Sequence, residues 1–182
     1  MNLLAIMQSA AGNIRQAHLD RMKELGVDIR TIADLGLVAP PVGGACGRLR
    51  RSGLFEPCEG PAHILQPVLV EGRVIDIVAW RTLQPDYWGL LRGVAWCMGL
   101  DNIEVAHDLD EPLQMSATPL CWLKEGAAGI CIVDWASPEI RELITVQAIK
   151  VSDPKIGDVL IKKLSTPVRL PKIIRMQAAH AA

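Results

Sequence analysis

The chain has 182 residues, half of them hydrophobic and about a fifth charged, with 19 basic and 20 acidic side chains. That size and balance give one sizeable core and exclude a disordered or fibrous chain. A formal charge of −1 excludes neutralisation of nucleic acid by net charge alone, and no apolar run reaches the roughly 20 residues of a membrane span, so no membrane partner is expected.

The charges are unevenly placed. Five acids and no base lie between Asp101 and Glu111, whereas six bases and one acid lie between Lys155 and Arg175. A solvated surface accounts for both runs, and a phosphate-facing side is the sharper reading of the second. The five cysteines (Cys46, Cys58, Cys97, Cys121, Cys131) are odd in number and irregular in spacing. They read as free thiols of a reducing, cytoplasmic protein. The opening Met1–Met7 has no basic flank, so a signal peptide is not expected.

Residues 1–38 read as an N-terminal helical hairpin. Ile14, Ala17, Leu19, Met22 and Leu25 form an apolar stripe from Asn13 towards a stop at Gly26. Asp28 then caps a second helix through Asp34 that ends at Gly36. The outline is that of a helix-turn-helix. The second helix, however, carries only Arg30 as a base, too little to read base edges and phosphates. A structural hairpin is the better reading.

Residues 39–60 are rich in Pro and Gly and read as a linker. Within it Gly43-Gly44-Ala45-Cys46-Gly47-Arg48, with Arg50 and Arg51, is a candidate anion-binding loop, although it has no Gly-Lys-Ser/Thr. Cys46, Cys58 and His63 are spaced unlike paired zinc ligands, so no metal and no cofactor are expected.

An α/β domain is expected over 61–175. His63–Val70 and Arg73–Trp80 form a β-hairpin through Glu71-Gly72, with Pro67 placing its strand at an edge or its N–H position outward. Asp76 lies among apolar neighbours, either on an open sheet face or paired with Arg81 or Arg92. His63, Asp76 and Cys58 form a conceivable nucleophile and base set at one hairpin end. Pro85 opens a helix towards Met98, with Trp88, Leu91, Ala95 and Met98 on one face. Asp101–Glu111 serves as a surface connection.

From Pro112 to Leu164 short apolar runs alternate with capped helices. The runs are Leu113–Met115, Gly129–Asp134 and Val146–Val151. The helices start at Thr118-Pro119, Ser137-Pro138 and Asp153-Pro154, the last burying Ile156, Val159, Leu160 and Leu164. Alternation at this spacing predicts parallel strands and a small open sheet. Asp134 and Asp153 end the second and third runs, where open α/β sheets place ligands. Each doubles as a turn former or helix cap. Residues 166–175 read as extended and 176–182 as a frayed tail.

The βαβαβα succession over about 112–164, with the hairpin before it, resembles the topoisomerase–primase (toprim) domain in the form found in phage and plasmid primases. That family holds Mg²⁺ with a Glu after the first strand and an Asp-x-Asp pair after the third. In this chain Ser116 stands near the Glu position, Asp153 represents the first Asp and Lys155 replaces the second. The resemblance thus implies a non-enzymatic, phage-type accessory or binding protein associated with DNA replication, with nucleic acid or a replication protein as partner. The expected contact residues are Lys155, Lys162, Lys163, Arg169, Lys172 and Arg175. A metal-dependent enzyme with a degenerate site at Asp134 and Asp153 is the alternative. A third reading is a protein-interaction module that self-associates through the Trp80–Trp96 region.

Overall fold

The computed structural model describes residues 1–166. It is a mixed α/β fold with two four-stranded sheets, the first antiparallel and the second mixed. The N-terminal unit holds one more helix than the sequence suggests: α1 (Leu3–Ala11), α2 (Gln16–Glu24) and α3 (Ile29–Asp34). Asn2 caps α1 by accepting the Ala5 N–H at 3.1 Å. Leu3, Met7 and Ala10 recur at helical spacing and bury against one face of the first sheet. The apolar opening segment is therefore a packed helix. Asp28 caps α3 as expected, accepting the Arg30 N–H at 2.9 Å.

The first sheet runs β1 (Gly43–Leu49), β2 (Phe55–Val70), β3 (Arg73–Arg81) and β4 (Gln84–Leu90), in that spatial order. The linker expected over 39–60 is corrected by this sheet, since most of it is paired strand. Its glycines permit close approach. A Cβ at Gly43 would lie 2.6 Å from Ala10 Cβ, and one at Gly47 would meet the Phe55 ring. Glycine content that reads as looseness is here a packing requirement.

The β2–β3 hairpin forms as predicted, and both Glu71 (φ 48°) and Gly72 (φ 69°) take the positive φ of a tight two-residue turn. Pro67 lies in an inner strand. It sits beyond the last β1 partner, Gly43 opposite Leu65, where β2 is locally an edge. The helix expected from Pro85 is instead β4, an outer strand that tolerates proline. Trp88 faces Trp80 across the ladder, and its Nε1 donates to the Val133 carbonyl at 3.0 Å. The helical spacing of the apolar residues there was coincidental with a strand and a turn.

The second sheet is built from β5 (Cys97–Met98), β6 (Leu113–Ser116), β7 (Ile130–Ile132) and β8 (Ile149–Val151), ordered β5-β7-β6-β8. β6 runs parallel to both β7 and β8, as the alternation predicts, and β5 adds an antiparallel edge. The connecting elements are α4 (Asp101–Asp108), α5 (Pro119–Lys124), a 3-10 helix (Pro138–Thr145) and α6 (Pro154–Ser165). Thr118, Ser137 and Asp153 each cap the element they precede. α4 replaces the connection expected over the acidic stretch.

Strand alternation sorts the core. Cys131 and Met98 point towards β2 and β3 with α2, α3 and α5, whereas Ile130, Ile132 and Cys97 point towards α4, the 3-10 helix and α6. Asp76 is fully buried. Neither arginine side chain answers it; its carboxylate accepts the backbone N–H groups of Ile77, Arg92, Val94 and Ala95.

Candidate functional site

Packing of the 3-10 helix against α6 leaves a groove of about 570 Å³ between them. Ile140 and Leu143 are buried, which turns Arg141 outward. On α6 Leu160 is buried and Val159 is 42 % exposed, so Val159 leaves the expected buried stripe and lines the groove beside Lys162 and Lys163. Ser137 and Pro138 form one end. The Arg141 guanidinium donates to the Thr166 carbonyl, which holds it along the groove. Among the described residues none of Arg141, Lys162 and Lys163 forms an ion pair. Three cations from two elements thus border one concave surface.

Lys155 lies apart, in the first turn of α6, where its backbone N–H donates to Asp153 Oδ1 at 2.9 Å. Seven residues of helix put it roughly 10 Å along the axis from Lys162. Arg169, Lys172 and Arg175 lie outside the described residues. Arg141 was missed by sequence reading because bases on separate elements converge only once the fold joins them.

The candidate anion loop lies on a strand and the turn that follows it. Arg48 sits on β1 and Arg50 on the turn into β2, and both guanidiniums meet Glu56, with Arg48 Nε 2.6 Å from Oε2. Arg50 first, then Arg48, pulls the Glu56 carboxyl down to about 2. The two guanidiniums share this one carboxylate, which offsets one of their two charges, and Arg51 is exposed beside them.

Parallel pairing brings the carboxyl ends of β6, β7 and β8 to one edge of the sheet. Asp134 Oδ1 accepts the Ala136 N–H at 2.8 Å and Asp153 Oδ1 accepts that of Lys155, so each carboxylate closes its own turn. Ser116 is buried and donates to Glu125 Oε2 at 2.6 Å. Among the described residues no three His, Cys, Asp or Glu side chains gather closely enough to hold a metal ion.

The conceivable set of Cys58, His63 and Asp76 is not assembled. Asp76 pairs with Val68, five residues from His63 along β2, roughly 17 Å in an extended strand. His63 Nδ1 instead donates to the Pro61 carbonyl (2.8 Å) and the ring tilts against Phe55, and burial lowers its pKa. Cys97 and Cys131 are buried, with thiol pKa values raised by desolvation, so both are packing groups. Trp80 and Trp96 are buried, leaving no tryptophan face of either for self-association.

Comparison with protein-family models, with curated protein sequences and with solved structures gives no match.

Proposed function

We propose that the protein is a non-enzymatic binding protein that engages nucleic acid through the basic groove between the 3-10 helix and α6. The observation that carries this reading is the convergence of Arg141, Lys162 and Lys163 on one concave surface without internal counter-charges among the described residues. The sequence beyond adds Arg169, Lys172 and Arg175. Cations spaced over a groove suit a phosphate backbone, which is bound by neutralisation and counterion release with no requirement for base contacts. An association with DNA replication is supported by the toprim resemblance alone.

The test is fluorescence anisotropy of labelled single- and double-stranded DNA over a salt series, with and without Mg²⁺. Three neutralised phosphates give a log–log salt slope of about −3 on duplex, and six give about −5. Lys162→Glu with Lys163→Glu should weaken binding at least tenfold without changing the circular dichroism spectrum. Flat anisotropy at tens of micromolar protein in low salt overturns the proposal in favour of a protein partner. A strict Mg²⁺ requirement, lost in Asp153→Ala, would transfer the function to metal-dependent chemistry at the Asp134 and Asp153 edge.

A further inference from the structure

The groove between the 3-10 helix and α6 is narrow as well as basic. Arg141 projects from the 3-10 helix, and its guanidinium donates to the carbonyl of Thr166, the residue that caps the end of α6. At that point the two walls therefore stand no farther apart than one arginine side chain reaches. A duplex, whose major groove alone is about 12 Å wide, is broader than that opening and could only lie across the rim. A single unpaired strand can enter.

The lining has two kinds of surface, and one strand offers a match for each. Arg141, Lys162 and Lys163 supply the charge. Ala136, Pro138 and Val159 supply an apolar wall, with Val159 left half-exposed on the same helix as the two lysines. In a duplex the base faces are stacked inside, so only the cations would be used. An unpaired strand presents phosphates and bare base faces together, and grooves that bind single strands combine contacts to both. Ser137, at one end, donates its hydroxyl to Glu139, whose carboxylate keeps phosphates towards the cations. Among the described residues no aromatic side chain lines the groove, so base contact here is apolar burial and not ring stacking.

We infer that the groove takes one strand of unpaired nucleic acid, with phosphates on Arg141, Lys162 and Lys163 and bases against Pro138 and Val159. It rests on the nucleic-acid reading above and narrows the ligand to a single strand. Charge alone favours the opposite order, since a duplex carries one phosphate per about 1.7 Å of its axis. A preference for the single strand therefore reports entry into the groove.

Competition anisotropy on the full chain, in one low-salt buffer, provides the test. The probes are oligo-dT, which forms no secondary structure, and a hairpin duplex of equal phosphate count. Oligo-dT should bind at least tenfold more tightly than the duplex, with a log–log salt slope of about −2 for three neutralised phosphates. Val159→Trp, which fills the groove and keeps all three cations, should weaken oligo-dT binding at least tenfold. Should Val159→Trp fail to fold, Ala136→Trp, at an exposed position of the lining, should give the same loss. Duplex bound as tightly as oligo-dT, with both lost in the Lys162→Glu, Lys163→Glu protein, overturns the inference and leaves the nucleic-acid reading standing. A tenfold preference that neither Trp variant reduces overturns it too, because the strand then binds elsewhere. No binding of either probe at tens of micromolar protein overturns the reading and the inference together.

Discussion

Asp76 Oδ2 accepts the backbone N–H of Val94 at 2.7 Å, tying the middle of β3 to the turn that leads into the second sheet. The same carboxylate also takes the N–H groups of Ile77, Arg92 and Ala95. A charged acceptor serving backbone donors at a buried site is worth more than a neutral one, and its removal strands those donors. Asp76→Ala should therefore cost about 3–5 kcal/mol. Asp76→Asn keeps one acceptor oxygen and should lose roughly half as much. Urea denaturation of the three proteins measures both. An Asp76→Ala loss below 1 kcal/mol would contradict this role.

The same residue shows where sequence reading stopped. Alternation placed Asp76 correctly in a strand, yet its partner was sought among arginine side chains, because backbone amides from a distant turn carry no signature. Elements with strong local signals were legible: the caps at Asp28, Thr118, Ser137 and Asp153, the Glu71-Gly72 turn and the parallel run from β6 to β8. Misreadings fell where tertiary contact decides. Gly43 and Gly47 look like linker glycines until α1 and Phe55 press on them. The Pro85 segment looks like a helix start until Trp80 supplies a strand partner for Trp88. Of the groove, Lys162 and Lys163 were legible as basic positions, whereas Arg141 and the concavity itself follow from how two helices pack.

Glycines at similar φ separate strain from collision. Gly129 (φ 74°) would place a Cβ 2.1 Å from the Gln114 carbonyl oxygen, while a Cβ at Gly126 (φ 79°) meets nothing within 4 Å. Gly126→Ala should cost only the left-handed backbone penalty, about 1–2 kcal/mol. Gly129→Ala must also separate β7 from β6 and displace the carbonyl that receives Asn102 and Trp122. A loss of about 4 kcal/mol or failure to fold is expected. Equal melting temperatures for the two variants would show that the contact yields freely.

The Glu56 pair gives a pH dependence of known sign. Its carboxyl is lowered from 4.5 to about 2 by Arg50 and Arg48. A group depressed in the folded state contributes stability that is present above its unfolded pKa and is lost as pH falls through the folded one. The window therefore runs from about pH 4.5 down to about 2. Because these side chains are solvent-exposed, the effect is small and salt-screened. The melting-temperature difference between the wild type and Glu56→Gln should be largest at pH 5–7 in low salt and shrink across that window. A difference unchanged between pH 6 and pH 2 would remove the pairing from the account.

Asp153 decides between a helix cap and a metal ligand, and the two roles respond differently to one pair of substitutions. As a cap its Oδ1 accepts the Lys155 N–H at 2.9 Å, with Pro154 setting the first turn of α6. Asn caps nearly as well as Asp, whereas Ala loses the bond, so Asp153→Asn should be almost neutral and Asp153→Ala should cost about 1 kcal/mol. As a ligand for a hard cation the carboxylate charge is what matters, and Asn would fail along with Ala. Thermal melts of the two variants with and without millimolar Mg²⁺ therefore discriminate. The cap predicts that Mg²⁺ shifts neither the wild type nor Asp153→Asn. A Mg²⁺-dependent rise in the wild type that both variants lose would make Asp153 a ligand, and α6 would then be anchored at a metal site as well as at its cap.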